Sequence, residues 1–237
     1  MKIKVKINFM KTLIKNFFII TCFILISIQN GEAKNVRLFY EVLGKYEVKH
    51  FKNQNEIKLN QSEEGFVSSV EHNSNNSATG LYQILNIDLR KEDLRYLYFD
   101  WYSEKFININ ERKKEFHDFP ARIYLTFRKK TFPFELPFQL PWERYHINYV
   151  FSNVEDQGAH WKSPYLSFFT KSHDVVISGK WDPANYWISN KIDLKSDIQK
   201  FWNIDLNYLE SVALMVDTDN TGRKTKTLFR NVYLSKN

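Results

Sequence analysis

A chain of 237 residues, 43% hydrophobic and 16% aromatic, has the composition of a folded protein and excludes a disordered one. Its formal charge of +7 is concentrated at the start: residues 1–33 hold five lysines and one glutamate, and without them the charge falls to +3. So small a surplus over about 200 residues is a solvated surface and excludes a nucleic-acid footprint.

Residues 1–33 read as a signal peptide. Lys2, Lys4, Lys6, Lys11 and Lys15 form a basic region, and Phe17 to Ile28 is an apolar run of 12 residues. Gly31 and Ala33 are small residues at the spacing that a signal peptidase reads. Such a run is too short to cross about 30 Å of hydrocarbon comfortably. The expectation is export to the periplasm or the medium, with no membrane span after cleavage. Cys22, the sole cysteine, lies in this run, so cleavage after Ala33 leaves a chain without disulfides, thiolate metal sites or a cysteine nucleophile.

Residues 34–237 read as one domain. Tyr46 to Phe51 alternates with period two, as a half-buried strand does. Phe66 to Val70 and Gly80 to Leu85 are further strands, separated by a polar loop over His72 to Ser77. In Leu94 to Tyr102, Leu97, Phe99 and Trp101 share a core face, while Tyr96, Tyr98, Asp100 and Tyr102 share the other. Asn108 to Glu115 reads as a charged loop. Ala121 to Phe127 turns Ala121, Ile123, Leu125 and Phe127 inward, and Arg122, Tyr124 and Thr126 outward.

Pro133, Pro137 and Pro141 then fall among Phe132, Phe134, Phe138 and Trp142, which forbids a central strand and predicts an extended loop. Tyr145 to Phe151 resumes strand, and Val154 to Trp161 is a loop. Tyr165 to Phe169 and Asp174 to Ser178 are strands, and Trp181 to Trp187 is an aromatic loop whose tryptophans are read as core anchors. One helix is expected, with Ser196 and Gln199 as a capping box and Ile198, Phe201 and Trp202 as its apolar stripe. Val212 to Asp217 and Thr227 to Leu234 close the chain, joined as a hairpin by an acidic turn. About ten short strands, one short helix and no βαβ rhythm predict an all-β, jelly-roll-like β-sandwich.

Several stretches together resemble the bacterial family called domain of unknown function 3047. They are Ser77 to Leu81, His117 to Tyr124, Ile147 to Phe151, the Gly158 to Pro164 loop and, most specifically, Val212-Ala213-Leu214-Met215-Val216-Asp217-Thr218-Asp219-Asn220-Thr221-Gly222. His117 stands where that family commonly shows the first of two acidic residues. The resemblance implies an exported β-sandwich like galactose-binding and carbohydrate-binding-module folds, although fold does not fix function.

Three constellations carry candidate chemistry. The outward set Tyr98, Asp100, Tyr102, Arg122, Tyr124, His146 and Asn148 would combine flat rings with directional polar groups if its strands were neighbours, which suits a glycan. Asp217, Asp219 and Asn220 copy the opening of a calcium loop, but its twelfth position is Leu228 and not Glu, so calcium would need an outside oxygen from Asp118 or Asp100. The competing reading is a turn whose side chains bond its own backbone. Asp217 and Asp219 also raise glycosidase chemistry, but two carboxylates on one turn cannot flank a sugar ring from opposite faces. No catalytic residue is assigned. The expected function is non-catalytic binding of a glycan or other cell-envelope ligand. A polysaccharide-cleaving hydrolase or lyase, or a protein-interaction module docking through Phe132 to Trp142, are the alternatives.

Overall fold

A computed structural model describes residues 35–128, 144–165, 170–204 and 206–236. The leader, Cys22, the proline-aromatic stretch and most of the Tyr165 to Phe169 segment lie outside the described residues. No helix among the described residues is long and apolar enough to cross a membrane.

Among the described residues the protein is an all-β, jelly-roll-like sandwich of two sheets with one α-helix. The six-stranded sheet comprises β1 (Val36–Arg37), β3 (Glu56–Gln61), β4 (Val67–Asn75), β6 (Tyr96–Ser103), β11 (Trp187–Asp193) and β13 (Lys224–Ser235). Its order is β11-β6-β13-β4-β3, with β1 also paired to β13. The seven-stranded sheet comprises β2 (Tyr46–Lys52), β5 (Ala78–Asp88), β7 (Ala121–Arg128), β8 (Arg144–Phe151), β9 (His160–Lys162), β10 (Thr170–Ser178) and β12 (Tyr208–Asp217). Its order is β2-β5-β12-β7-β8-β10-β9, with β8 and β10 parallel.

Period-two alternation builds the core. Leu97, Phe99 and Trp101 of β6 face Ile123, Leu125 and Phe127 of β7 and Ile147, Tyr149 and Phe151 of β8 in one buried cluster. Trp101 ties the layers directly, donating from Nε1 to Ser178 Oγ at 3.1 Å. The α-helix, α1 (Leu194–Trp202), packs Leu194 and Ile198 onto this core.

Several expectations need correction. β2 alternates in sequence but is almost wholly exposed, because it is an edge strand. β4 runs through the segment read as a polar loop: His72 lies edge-on to Phe229, and Ser74 is hydrogen-bonded to Ser77 and Thr218. β11 begins at Trp187, within the expected aromatic loop, and Trp181 is 85% exposed instead of anchoring the core. Glu111, in the charged loop, is fully buried, engaged by Ser152 Oγ and the Asn153 amide. The helix cap is Asp193, whose side chain accepts from Ser196 N at 3.1 Å, and not Ser196 itself. Asp193 is also held by Arg95 across β6 and β11, which fixes it for capping.

The acidic turn is not a hairpin. It carries the chain from β12 in one sheet to β13 in the other. The Asn76–Ser77 turn between β4 and β5 crosses the sandwich beside it. The two corners are stitched by Asn76 N to Arg223 O (2.9 Å), Thr218 N to Ser77 O (3.0 Å) and the Ser74 and Thr218 hydroxyls (2.8 Å). Gly222, at φ 66°, supplies the left-handed step that lets the turn close.

Candidate functional site

The outer face of the seven-stranded sheet is laid out in rows by its register. Tyr82, Ala213, Tyr124, Asn148 and Asp174 stand side by side on β5, β12, β7, β8 and β10. One step toward the acidic corner, Gly80, Met215, Arg122 and Val150 form the next row. One step away lie Ile84, Ser211, Thr126, His146 and Ser172. Small residues at Ala213 and Gly80 keep the floor low between larger walls. The result is a cleft of about 420 Å³, rimmed by Phe51 and Tyr165 and reaching Asp217 and Asp219.

A directed hydrogen-bond chain crosses the floor. Asp174, fully buried, meets His117 Nε2 at 2.8 Å and accepts from Asn148 Nδ2 at 2.7 Å. Burial alone would raise the Asp174 carboxyl, but His117, Arg122 and Asn148 outweigh it and hold it below the ordinary range. Burial lowers the His117 pKa, against the pull of Asp174. A guanidinium only donates, so the lone pair of Nδ1 is the side toward Arg122 Nη2, 3.5 Å away, and Nε2 carries the hydrogen given to Asp174.

Asp217 Oδ2 lies 3.5 Å from the same Nη2 of Arg122. Burial, together with the neighbouring Asp118 and Asp219, raises its pKa well above the ordinary range against the attraction of Arg122. At 3.5 Å the ion pair with Arg122 is long, so it offsets the burial of Asp217 only in part. His146 is likewise neutral, lowered to about 4 by burial and by Arg144, with Thr126 Oγ1 3.2 Å from Nδ1. Two buried polar atoms in the cleft have no partner among the described residues: Arg122 Nε, a donor, and Asn148 Oδ1, an acceptor. The Asn148 amide orientation is fixed by Asp174, which only accepts.

The outward set of seven does not form one surface. Arg122, Tyr124, His146 and Asn148 share the cleft. Tyr98, Asp100 and Tyr102 lie on the outer face of the other sheet, because β6 pairs with β11 and β13. There Tyr98 stacks on Tyr233 at 4.8 Å, Asp100 accepts from Arg230 Nε and Asn231 Nδ2, and Tyr102 packs near Trp187. Tyr82 and His117 line the cleft and buried Asp174 is bonded to His117 and Asn148; the sequence reading assigned none of the three. A lone acid among inward and outward alternation, as Asp174 is in Ser172-His173-Asp174-Val175-Val176, was the available signal.

Asp118, Asp217 and Asp219 bring carboxylate oxygens within 4.8 Å of one another and are the residues that could hold a cation. Of the two outside carboxylates that could complete a calcium site, Asp118 lies in this group and Asp100 does not. Asp118 is already engaged, accepting from the backbone and side chain of both Asn220 and Thr221. Asn220, the third expected ligand, directs its amide to Asp118 and Tyr165. Another cavity, of about 450 Å³, lies between residues 35–40, β4 and β13, but Arg230 and Asn231 in its lining are paired with Asp100.

Fold and site thus define a jelly-roll β-sandwich with a polar, aromatic-walled cleft on one sheet. The chain belongs to the family described as Protein of unknown function (DUF3047), whose model matches residues 44–233. None of the curated proteins matches it. Among solved structures, a family 11 carbohydrate-binding module from Clostridium thermocellum, in complex with a mixed-linked tetrasaccharide, is similar at 13% identity and a TM-score of 0.44, over 85% of this chain and 94% of that one. The xyloglucanase domain of a type three effector from Sinorhizobium fredii, in complex with cellobiose, is similar at 11% identity and a TM-score of 0.46, over 86% of this chain and 98% of that one.

Proposed function

We propose that this is an exported protein, periplasmic or secreted, that binds a glycan in the cleft over Tyr82, Tyr124, Arg122 and Asn148. Export rests on the basic and then apolar leader. The glycan reading rests on one observation above the rest: Tyr82, Tyr124, Arg122, His146 and Asn148 line one cleft of about 420 Å³, so that aromatic rings stand beside directional polar side chains. Sugar hydroxyls donate and accept, and sugar C–H faces lie well on tyrosine rings.

Calorimetric titration of the mature chain against a panel of envelope and plant oligosaccharides tests this. Saturable binding that is lost in Tyr124→Ala, with the melting temperature retained, supports it. No saccharide binding across the panel overturns it.

A cleaving enzyme is the second reading, favoured by one specific feature. Asp217, whose pKa is raised by burial, and His117, oriented by Asp174, each lie 3.5 Å from Arg122 Nη2. Pairs of groups pushed to opposite protonation states are how acid and base roles are divided. New reducing ends from polysaccharides, abolished in Asp217→Asn, would establish this reading; binding without any cleavage across the panel would remove it.

A further inference from the structure

On the outer face of the six-stranded sheet, four strands set one row of side chains side by side: Lys191 on β11, Tyr98 on β6, Tyr233 on β13 and Arg37 on β1. The Tyr98 and Tyr233 rings stack at 4.8 Å. Lys191 Nζ stands 5.3 Å from the Tyr98 ring and 4.2 Å from that of Tyr96. The Arg37 guanidinium lies 4.7 Å over Tyr40, which itself stacks on Phe66 at 4.4 Å. Both end cations are thus seated on aromatic rings. Three steps between strands place their backbones about 14 Å apart.

The acids that β6 and β11 carry on this face are already taken. Asp100 accepts from Arg230 Nε and Asn231 Nδ2, and Asp193 is held by Arg95 and caps α1. Lys191 and Arg37 have no carboxylate partner among the described residues. Beside Arg37 the face opens into the cavity of about 450 Å³, which Arg37, Arg230, Asn231, Tyr233 and Phe66 help to line. Glu64 is the one acid in that lining among the described residues. Phe39 and Asn231 in the cavity wall take left-handed backbone, at φ 53° and 51°. Asparagine does so readily, but a buried phenylalanine there is an outlier, and such backbone concentrates at ligand sites.

We propose that this face is a second glycan surface, which takes an acidic polysaccharide with one carboxylate in the cavity at Arg37 and another, further along the chain, at Lys191. Charge complementarity names the occupant. The face carries two cations that no protein carboxylate answers, and a guanidinium fork matches a planar carboxylate. One small anion reaches one end of the row, whereas a chain with an acid on repeated units reaches both. A neutral chain answers neither cation.

The inference rests on the reading of the protein as a glycan binder and uses none of the cleft's residues, so the two fail separately. Oligouronates of one to six units (galacturonate, glucuronate and mannuronate series) are titrated into the mature wild-type chain beside their carboxyl-reduced, neutral counterparts. Inorganic polyphosphate serves as a polyanion without a sugar. Two exposed charge contacts make the longer chains of at least one uronate series bind ~10-fold tighter than their reduced counterparts, and added salt weakens that preference. The double variant Arg37→Gln/Lys191→Gln brings the ratio to within about threefold, whereas Tyr124→Ala in the cleft leaves it in place. Both substituted side chains are exposed and without a protein carboxylate, so the double variant keeps the wild-type melting temperature. Equal binding of acidic and reduced sugars overturns the proposal and leaves the glycan reading standing. A preference lost in Tyr124→Ala but kept in the double variant assigns it to the cleft and overturns the second surface. Equal affinity for one unit and for six overturns the two-ended contact. Polyphosphate binding as tight as that of the uronates overturns the sugar class. No binding of any oligosaccharide overturns both readings.

Discussion

Asp118 holds Thr221 twice, accepting from its backbone N–H at 2.6 Å and from its hydroxyl at 2.7 Å on the same carboxylate oxygen. Its other oxygen accepts from the Asn220 backbone N–H at 3.1 Å and side-chain Nδ2 at 3.0 Å. One buried side chain before β7 therefore clamps the corner where the chain passes between the sheets. The acidic turn is held from outside, by a residue about a hundred positions earlier in the chain, more than by its own side chains.

Asp118→Ala is expected to lower stability by about 3 kcal/mol, since hydrogen bonds to a charged group are each worth about 1.5–3 kcal/mol and do not add fully. Urea denaturation measures the loss. Amide exchange should accelerate first at Asn220 and Thr221, whose N–H groups lose their acceptor. Unchanged exchange there would show that the corner is fastened by something else.

Trp101 and Ser178 are expected to be energetically coupled across the two layers. Ser178→Ala leaves the buried indole N–H without its 3.1 Å acceptor and should cost about 1–3 kcal/mol. Trp101→Phe removes the same donor. If the bond matters, the double variant loses less than the sum of the singles in urea unfolding; strict additivity would show that the contact contributes nothing.

His72 gives the protein an acid-sensitive core. Neither ring nitrogen has a partner among the described residues, and full burial lowers its pKa from 6.5 to about 3. As pH falls below 6.5 the unfolded chain takes up a proton that the folded chain refuses until about pH 3. Stability contributed by this group is therefore present above 6.5 and lost on acidification, at about 1.4 kcal/mol per pH unit. His72→Leu should remove that slope, so its advantage over the wild type grows by about 2 kcal/mol between neutral pH and pH 5. Parallel pH profiles for the two proteins would contradict this.

Much of the fold was legible because period-two alternation separates inside from outside. Ala121, Ile123, Leu125 and Phe127 read as inward and are all fully buried. Alternation says nothing about which sheet a strand joins, and that is why Tyr98 and Arg122, both outward, lie on opposite surfaces of the sandwich. Strand pairing is fixed by contacts far apart in sequence, which no local pattern encodes. β11, Trp187-Ile188-Ser189-Asn190-Lys191-Ile192-Asp193, was hidden because an edge strand exposed on one face carries few apolar residues. The cleft was half legible: Arg122, Tyr124, His146 and Asn148 stand on neighbouring strands, but His117 and Asp174 reach them from a loop and from β10, which pairs parallel to β8.

Asp217 should make stability depend on pH. Its carboxyl faces Arg122 from β7, His117 and Asp118 from the preceding loop, and Asp219 from its own turn; Tyr165 stands at the rim. Burial and the acidic neighbours raise its pKa well above the carboxylate range. The folded protein therefore holds a proton here that the unfolded chain has released, so this group's contribution to stability falls as pH rises from about 4 toward the folded pKa. Asp217→Asn cannot ionise, so its stability relative to the wild type should rise with pH across that range. Urea denaturation at a series of pH values measures both curves, and parallel profiles would contradict a raised Asp217 pKa.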